Sequence, residues 1–392
     1  MNKTRIITVL LSISLVLFSF GQLARISIPE QPVFFYLYEV FVAAVSGILL
    51  VKYRKNPLME SKYSPIIVFF IWILISFVLS LRFYSLEQNT VAFLYYLRLL
   101  LYFIFYVYVS YFFTHEKQSK RPIVILNLVT VWVILSSFIQ YFLYQNLGNL
   151  AYLGWDPHLY RVVGLFFDPP VTVSVFLLLM IFYLLELQSN HDWKKLGFII
   201  PLFILSFLTY SRGGGLALIA VSVLYVIRRF SRKTVLIGLA VLVAGFLFIP
   251  KGSSEGINLL RTTSIEARIN DYEKAIMIWR KNPVAGIGYN HIRYEKDIYE
   301  EQLFYGPYNP SHGSTAFHSS FLVILVTGGV IGLGLYIWML ISLARTSEFM
   351  MFGIVLLSVI SVFDNVLLHP FLLFLLFLLE GYRKSHRTQS SL

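Results

Sequence analysis

The chain is a long succession of apolar stretches separated by short polar turns, and this pattern constrains its fold more than any other feature. A helix needs roughly 20 mainly apolar residues to cross the hydrocarbon layer of a membrane. Charged residues make up only 13% of the chain, whereas about 25% is usual for a soluble domain. A soluble fold of this length would have too few polar residues to cover its surface. The sequence therefore predicts an all-α polytopic membrane protein.

The apolar stretches predict about 12 transmembrane helices. The first stretch follows Lys3 and Arg5 in the manner of a signal peptide, but residues 21–24 make a poor cleavage site. Because many further stretches follow, we interpret the first as a retained helix. The predicted spans are 6–24, 33–51, 64–82, 91–113, 122–145, 170–187, 196–210, 213–227, 234–250, 318–343, 348–363 and 366–380.

Basic residues are concentrated in alternate loops, which by the positive-inside rule are cytoplasmic. We therefore expect a multi-pass protein of the cell inner (plasma) membrane with both termini in the cytoplasm. The net charge of +12 then reflects topology, and no nucleic-acid partner is expected. The loop residues that set this orientation are Lys52, Arg54, Lys55, Lys62, Lys117, Lys120, Arg121, Lys194, Lys195, Arg228, Arg229, Arg232, Lys233, Arg345, Arg383, Lys384 and Arg387.

Two longer loops, at 146–169 and 251–317, fall on the extracytoplasmic side. We accordingly divide the chain into nine helices at 1–250, a large outer loop at 251–317, and three helices with a cytoplasmic tail at 318–392. Within the large loop, Thr263-Ser-Ile-Glu266 has the form of a capping box that opens a helix. Apolar residues at helical spacing follow, so we expect this helix to lie on the membrane surface or against the helix bundle.

Four polar residues at the outer face are candidate functional residues: Arg161, Arg212, Arg268 and His318. Guanidinium groups bind phosphate oxygens in pairs and stay charged, so three arginines near one face suit a diphosphate. A histidine can act as a general base near neutral pH.

Each of the four also has an ordinary structural interpretation. Arg212 would end a helix and reach the lipid headgroups, and His318 would be a helix-start histidine bonded to backbone. Arg268 would pair with Glu266 or Asp271 as a solvated ion pair. Arg161 would bind a lipid phosphate or neutralise Asp156 or Asp168.

Arg98 differs because it lies inside a predicted span, where an ionisable residue is a functional candidate by default. Its alternative partner is Glu39, the acidic residue of the second span. Both interpretations remain open at this point.

Four stretches of the chain carry recognisable motifs in a fixed order. An Arg-x-x-Gly-x-Phe segment ending in proline lies at 161–169, and Ser-Arg-Gly lies at 211–213. An arginine helix leading to Pro-x-x-Gly-x-Gly covers 268–288. A His-x-x-x-Leu segment followed by Gly-x-x-Gly covers 318–332. Together these resemble the O-antigen ligase and polymerase superfamily of bacterial membrane glycosyltransferases.

The chain departs from the family pattern at three positions: Pro170 and Ser319 stand where asparagine is frequent, and Thr327 stands where an acidic residue is frequent. The departures concern the handling of the acceptor. The arginine and histidine residues of the pattern are present.

The resemblance implies a GT-C-like fold and an inverting transfer of a glycan from a polyprenyl-diphosphate carrier to a glycan or lipid-linked acceptor. Arg212 and Arg268, helped by Arg161, would hold the diphosphate, and His318 would take the acceptor proton. Neither metal nor cofactor is expected, and the chain has no Asp-x-Asp motif.

Several further residues are candidates for binding the substrate. Arg98 is a candidate substrate-binding residue, and loop aromatics would suit sugar faces, although interfacial anchoring is an equal alternative. The aromatics are Trp155, Tyr289, Tyr305 and Tyr308.

Two functions remain distinct alternatives. Within the superfamily a polymerase joins carrier-linked repeat units and a ligase moves a finished glycan, and we take polymerase as the first hypothesis. A transporter or flippase for a lipid-linked substrate is the alternative from another class. Transporters place their site near the membrane midplane, often within internal repeats, and the chain shows neither feature.

The predicted sidedness can be tested directly because the chain contains no cysteine. A single cysteine in an Arg268→Cys variant should react with a membrane-impermeant maleimide added to intact cells. Reaction only in inverted vesicles would contradict the topology.

Overall fold

The computed structural model describes residues 3–28, 33–54, 57–116, 121–148, 160–190, 193–229, 263–296 and 316–390. These residues are mostly helical. Their helices of 13 residues or more are α1 (Lys3–Phe18), α2 (Leu37–Tyr53), α3 (Ser64–Ser80), α4 (Leu86–His115), α5 (Arg121–Leu143), α6 (Pro169–Asn190), α7 (Leu196–Leu208), α8 (Arg212–Arg229), α9 (Thr263–Trp279), α10 (Ser320–Ala344), α11 (Glu348–Ser361) and α12 (Pro370–Ser390).

Eleven of these helices coincide with predicted apolar stretches, and α9 is the helix predicted from the capping box. The predicted span at 234–250 lies outside the described residues. Among the described helices, five are long and apolar enough to cross a membrane: Ser61–Phe83, Leu86–His115, Pro122–Leu143, Pro169–Leu187 and Ser320–Ala344. The prediction of a mostly helical membrane protein is confirmed.

The predicted bounds of the first and last helices were wrong. The first helix ends at Phe18 rather than at residue 24, because the chain turns at Gly21, which has a φ of 53°. A side chain at Gly21 would overlap the backbone of Leu165, and the Gln22 N–H donates to the Leu165 carbonyl at 2.8 Å. The last helix begins at Pro370 rather than at residue 366, and it continues to Ser390.

A short antiparallel hairpin, which the sequence pattern did not predict, joins α1 to α2. Strand β1 (Arg25–Ser27) pairs with β2 (Phe34–Tyr36), with Arg25 opposite Tyr36. The Arg25 guanidinium lies 4.2 Å from the centre of the Phe34 ring. The hairpin satisfies backbone groups that would otherwise be unpaired at the helix ends.

Helices α6 and α12 form the centre of the bundle. In the apolar part of α6, 83% of residues are buried, compared with 39–50% in the other four long helices. Residues 371–379 of α12 are all buried leucine and phenylalanine side chains, and the helix packs on α4 and α6. A helix that is apolar on every side is expected at the centre of a bundle.

Helix α10 contains a discontinuity at Gly329, whose φ and ψ are 66° and −171°. The break frees backbone carbonyls, and in a membrane each must find a donor inside the protein. The carbonyls of Val326 and Thr327 accept hydrogen bonds from the N–H groups of Ile287 and Gly288 at 2.9 and 3.1 Å. The carbonyl of Gly328 accepts one from Trp72 Nε1 of α3 at 2.8 Å.

Glycines on both sides make this contact possible. A Cβ at Gly286 would overlap the carbonyl of Thr327, and a Cβ at Gly329 would overlap the carbonyl of Val284. Both glycines also have positive φ values, which L side chains rarely adopt. The segment after α9 is therefore locked to α10, and α9 is held beside the start of α10.

We predict that Gly286→Ala and Gly329→Ala each lower the stability of the purified protein by roughly 1–3 kcal/mol, because each adds strain and steric overlap. Thermal unfolding in detergent measures the effect. Gly334→Ala in the same helix is the matched control, since nothing lies within 4 Å of its Cβ position. Equal unfolding temperatures for all three variants would contradict the proposed lock.

Candidate active site

Helix α9 presents two polar residues, Arg268 and Asp271, toward the bundle. Residues three apart lie on the same face of a helix, and the next positions on this face, Ala275 and Ile278, are fully buried. These two pack against a small apolar cluster that includes Phe317. The charged groups are thus fixed at the edge of a packed surface.

The neighbouring face of α9 begins with two of the apolar residues that the sequence pattern singled out. Ile265 and Ile269 are 44% and 50% exposed. We predicted that α9 lies on the membrane surface or against the bundle. The face with Arg268 and Asp271 contacts the bundle, and the two isoleucines point away from it.

Asp271 binds His318 through two contacts to one oxygen. Its Oδ2 accepts from the His318 backbone N–H at 2.7 Å and lies 3.0 Å from His318 Nδ1. The Asp271 side chain is 7% exposed and that of His318 is 43% exposed. When Nδ1 donates to the carboxylate, Nε2 is left as the proton acceptor.

The two groups change each other's ionisation. The hydrogen bond that His318 donates to Asp271, together with the negative charge of Asp271, raises the pKa of His318 above its ordinary value of 6.5, although burial opposes this. Burial alone would raise the pKa of Asp271, but the hydrogen bond from His318 and the Lys296 ammonium outweigh it and hold that pKa low. Asp271 is therefore charged at neutral pH.

Arg268 is paired with Asp364, a residue of the turn between α11 and α12. Its Nη2 lies 3.3 and 3.2 Å from the two carboxylate oxygens. Burial raises the pKa of Asp364, and the nearby charges of Arg268, His318 and Arg161 oppose that rise. The Tyr272 hydroxyl donates to the Val362 carbonyl, so α9 is attached to this turn by two side chains.

Arg212 is the first residue of α8, which begins directly after the Tyr210 turn. Tyr210 has a positive φ of 49°, and Ser211 Oγ accepts the Gly214 N–H at 3.2 Å. A Cβ at Gly214 would lie 2.6 Å from Val173 of α6, so the glycines allow α8 to approach closely. Arg212 lies close enough to Arg268 and Asp364 for their charges to affect its ionisation.

Arg161 is buried beneath this turn and is 7% exposed. Its Nε donates to the Thr209 carbonyl at 2.9 Å and its Nη2 to the Tyr210 carbonyl at 3.3 Å. A cation at the C-terminal end of a helix satisfies carbonyls and interacts favourably with the helix dipole. Arg161 thus caps α7 and supports the turn that leads into Arg212.

Arg98 is paired with Glu39, which was the alternative left open by the sequence. Its Nε and Nη2 donate to the two carboxylate oxygens at 2.7 and 2.8 Å. Glu39 also accepts from the Tyr102 hydroxyl at 2.5 Å and the Tyr36 N–H at 2.8 Å. This paired network lies between α2 and α4.

Among the aromatic candidates, the structure describes Tyr289. Tyr289 is 8% exposed and packs in the main core, so its ring does not offer an open face. Trp155, Tyr305 and Tyr308 lie outside the described residues.

The sequence analysis missed two acidic residues as site partners. Asp271 was considered only as a neighbour of Arg268, although its spacing on α9 put it on the same face. Asp364 is a single acidic residue in a short turn, and nothing in the local pattern connects it to α9. Within the described ranges no group of three or more metal-binding side chains is found, and the expected independence of metal stays a prediction.

These contacts bring a histidine held by one carboxylate and an arginine held by another into one group of side chains, with Arg212 nearby. Residues 196–337 match the family model described as O-Antigen ligase, a segment that includes Arg212, Arg268 and His318. No curated protein matches the chain. This match supports the resemblance to the O-antigen ligase and polymerase superfamily and a function in polysaccharide assembly.

The raised pKa of His318 predicts a pH-dependent contribution to stability. Because the folded-state value lies above the unfolded one, the contribution is complete below about pH 6.5 and is lost as pH rises through the folded value. The unfolding temperature of His318→Asn should fall furthest below that of wild type at acidic pH. A difference that grows with rising pH would contradict the Asp271 pairing.

Proposed function

We propose that the protein is an inverting, metal-independent glycosyltransferase that moves a glycan from a polyprenyl-diphosphate carrier to an acceptor hydroxyl, in the assembly of a cell-surface polysaccharide of the O-antigen kind. The observation that supports this most strongly is the Asp271–His318 pair beside Arg268. A base and cationic groups for a leaving diphosphate lie within one group of side chains.

The donor diphosphate would be held by Arg212 and Arg268. A guanidinium has five N–H donors, and the bonds from Arg268 to Asp364 use Nη2. Asp364 aims this guanidinium, and the N-terminal end of α8 adds its helix dipole at Arg212. Positive groups already in place when charge develops on a leaving diphosphate stabilise the transition state.

The reaction would be a single displacement. The acceptor hydroxyl oxygen attacks the anomeric carbon while its proton passes to His318 Nε2. The bond from that carbon to the diphosphate oxygen breaks on the opposite face, and the released diphosphate keeps the electron pair. Attack opposite to the leaving group inverts the anomeric configuration. The Asp271 carboxylate stabilises the imidazolium that forms.

We place this site at the extracytoplasmic face of the inner membrane, in a GT-C-like arrangement of about 12 spans. Helix α10 runs from the site to Arg345, and α12 runs from the Asp364 turn to Arg383 and Lys384. The basic residues that mark the cytoplasmic side are therefore at the far ends of helices that begin at the site.

The acceptor separates two forms of this function. A polymerase would use a second carrier-linked glycan, and a ligase would use another glycan or lipid-linked acceptor such as the core of a lipopolysaccharide. We keep polymerase as the first hypothesis. A transporter is less well supported, because the grouped charges lie at the starts of α8 and α10, on α9 and in the Asp364 turn rather than at the middle of long spans.

We predict that Arg212→Ala, Arg268→Ala and His318→Ala each lower glycan transfer about 10²–10⁴-fold, because each removes charge stabilisation or the base. The assay supplies a polyprenyl-diphosphate oligosaccharide with a chelator present and measures released polyprenyl diphosphate and product. Arg280→Ala, directly after α9, is the control arginine, and His115→Asn is the control histidine, since both residues are exposed.

The products distinguish the alternatives. A ladder of lengthened glycans indicates a polymerase, and one transfer to an added acceptor indicates a ligase. Full activity in all three site variants would exclude the mechanism, and uptake of the donor into vesicles without bond formation would favour a transporter.

A further inference from the structure

Lys296 is a buried lysine directly beside the Asp271–His318 pair. Its side chain is 3% exposed, and its Nζ lies 2.7 Å from Asp271 Oδ1. The other oxygen, Oδ2, receives both contacts from His318. The carboxylate is thus shared between a fixed cation on one side and the imidazole on the other.

The same ammonium also holds the backbone that carries the histidine. Nζ donates to the carbonyl of Ala316 at 3.0 Å and lies 4.8 Å from the centre of the Phe317 ring. Residues 316–318 are therefore attached to Lys296 directly, as well as through Asp271. Loss of the lysine would loosen both the carboxylate and the segment that orients His318.

The sum of the charges of Lys296, Asp271 and His318 shows how Lys296 affects the protonation of His318. With Lys296 present, the three groups sum to zero when His318 is neutral and to +1 when it is protonated. Without the lysine, the neutral imidazole faces an uncompensated carboxylate, which would favour the imidazolium. Among the described residues, the other charged groups that act on His318 are Asp364 and, through it, Arg268.

We propose that Lys296 is a positioning residue that holds Asp271 and the 316–318 backbone and keeps His318 neutral, and so able to accept a proton, at lower pH than Asp271 alone would allow. The proposal rests on the proposed function only for the role of His318 as base. The buried lysine is itself stabilised by this arrangement, since an unpaired ammonium is costly to bury.

The ionisation of His318 can be measured without any glycan transfer. Diethyl pyrocarbonate modifies the neutral imidazole, so the pH dependence of modification of the His318 peptide, read by mass spectrometry on the intact purified protein, reports its pKa. We predict that Lys296→Met moves the midpoint upward by roughly 0.5–2 pH units. Lys296→Arg, which keeps the charge, should leave the midpoint close to that of wild type.

A second pair of variants covers the case in which Lys296→Met does not fold. The double variant Asp271→Asn with Lys296→Met buries no unpaired charge, and its midpoint should lie above that of Asp271→Asn alone. The proposal is overturned if the modification midpoint is the same in Lys296→Met as in wild type and the same in the double variant as in Asp271→Asn.

The transfer assay adds an independent measurement. In Lys296→Met, the acidic limb of the plot of kcat/KM against pH should move to higher pH, as the modification midpoint does. Transfer activity should recover in part at alkaline pH. A lower plateau with an unmoved limb would show a purely structural role and overturn the proposal. If wild type transfers no glycan, the proposed function fails, while the modification data still decide the role of Lys296.

Discussion

The fold around the site depends on how the protein pairs the backbone carbonyls that the break in α10 at Gly329 leaves without a partner in the helix. Backbone carbonyls cannot remain unpaired in a membrane-embedded bundle, because no water replaces the lost partner. These carbonyls accept hydrogen bonds from the N–H groups of Ile287 and Gly288 and from the indole of Trp72. This pairing joins the segment after α9 to α10 and α3, and it determines where α9 lies.

The position of α9 in turn determines the chemistry. Its inner face carries Arg268 and Asp271, which contact Asp364 and His318 on separate parts of the chain. Each acidic residue binds a basic one, and the paired groups lie close enough to alter one another's ionisation. A buried group of this kind is costly unless its members are paired, and the pairing holds each side chain in one orientation. The site is therefore organised before any substrate binds, as catalysis by electrostatic stabilisation requires.

The helices could be predicted because apolar length and capping residues are local properties of the sequence. The presence of Arg268 and His318 in one site followed from the resemblance and was not visible in either residue alone. The bonds from Arg161 to the carbonyls of residues 209 and 210 could not be predicted, because backbone acceptors leave no mark in the sequence. Asp364 was missed for a related reason: its contact with α9 joins residues 96 apart. The pairing of Arg98 with Glu39, by contrast, was one of two stated alternatives, since few charged residues lie within the spans.

The central claim is that one site binds a lipid diphosphate between Arg212 and Arg268 and presents its sugar to His318. The most direct test is a cryo-electron microscopy structure of the His318→Asn variant in nanodiscs with a polyprenyl-diphosphate oligosaccharide. The account predicts diphosphate density against both guanidinium groups and the first sugar beside residue 318. Diphosphate density at the midplane of the bundle, or at the end that carries Arg345 and Lys384, would contradict it.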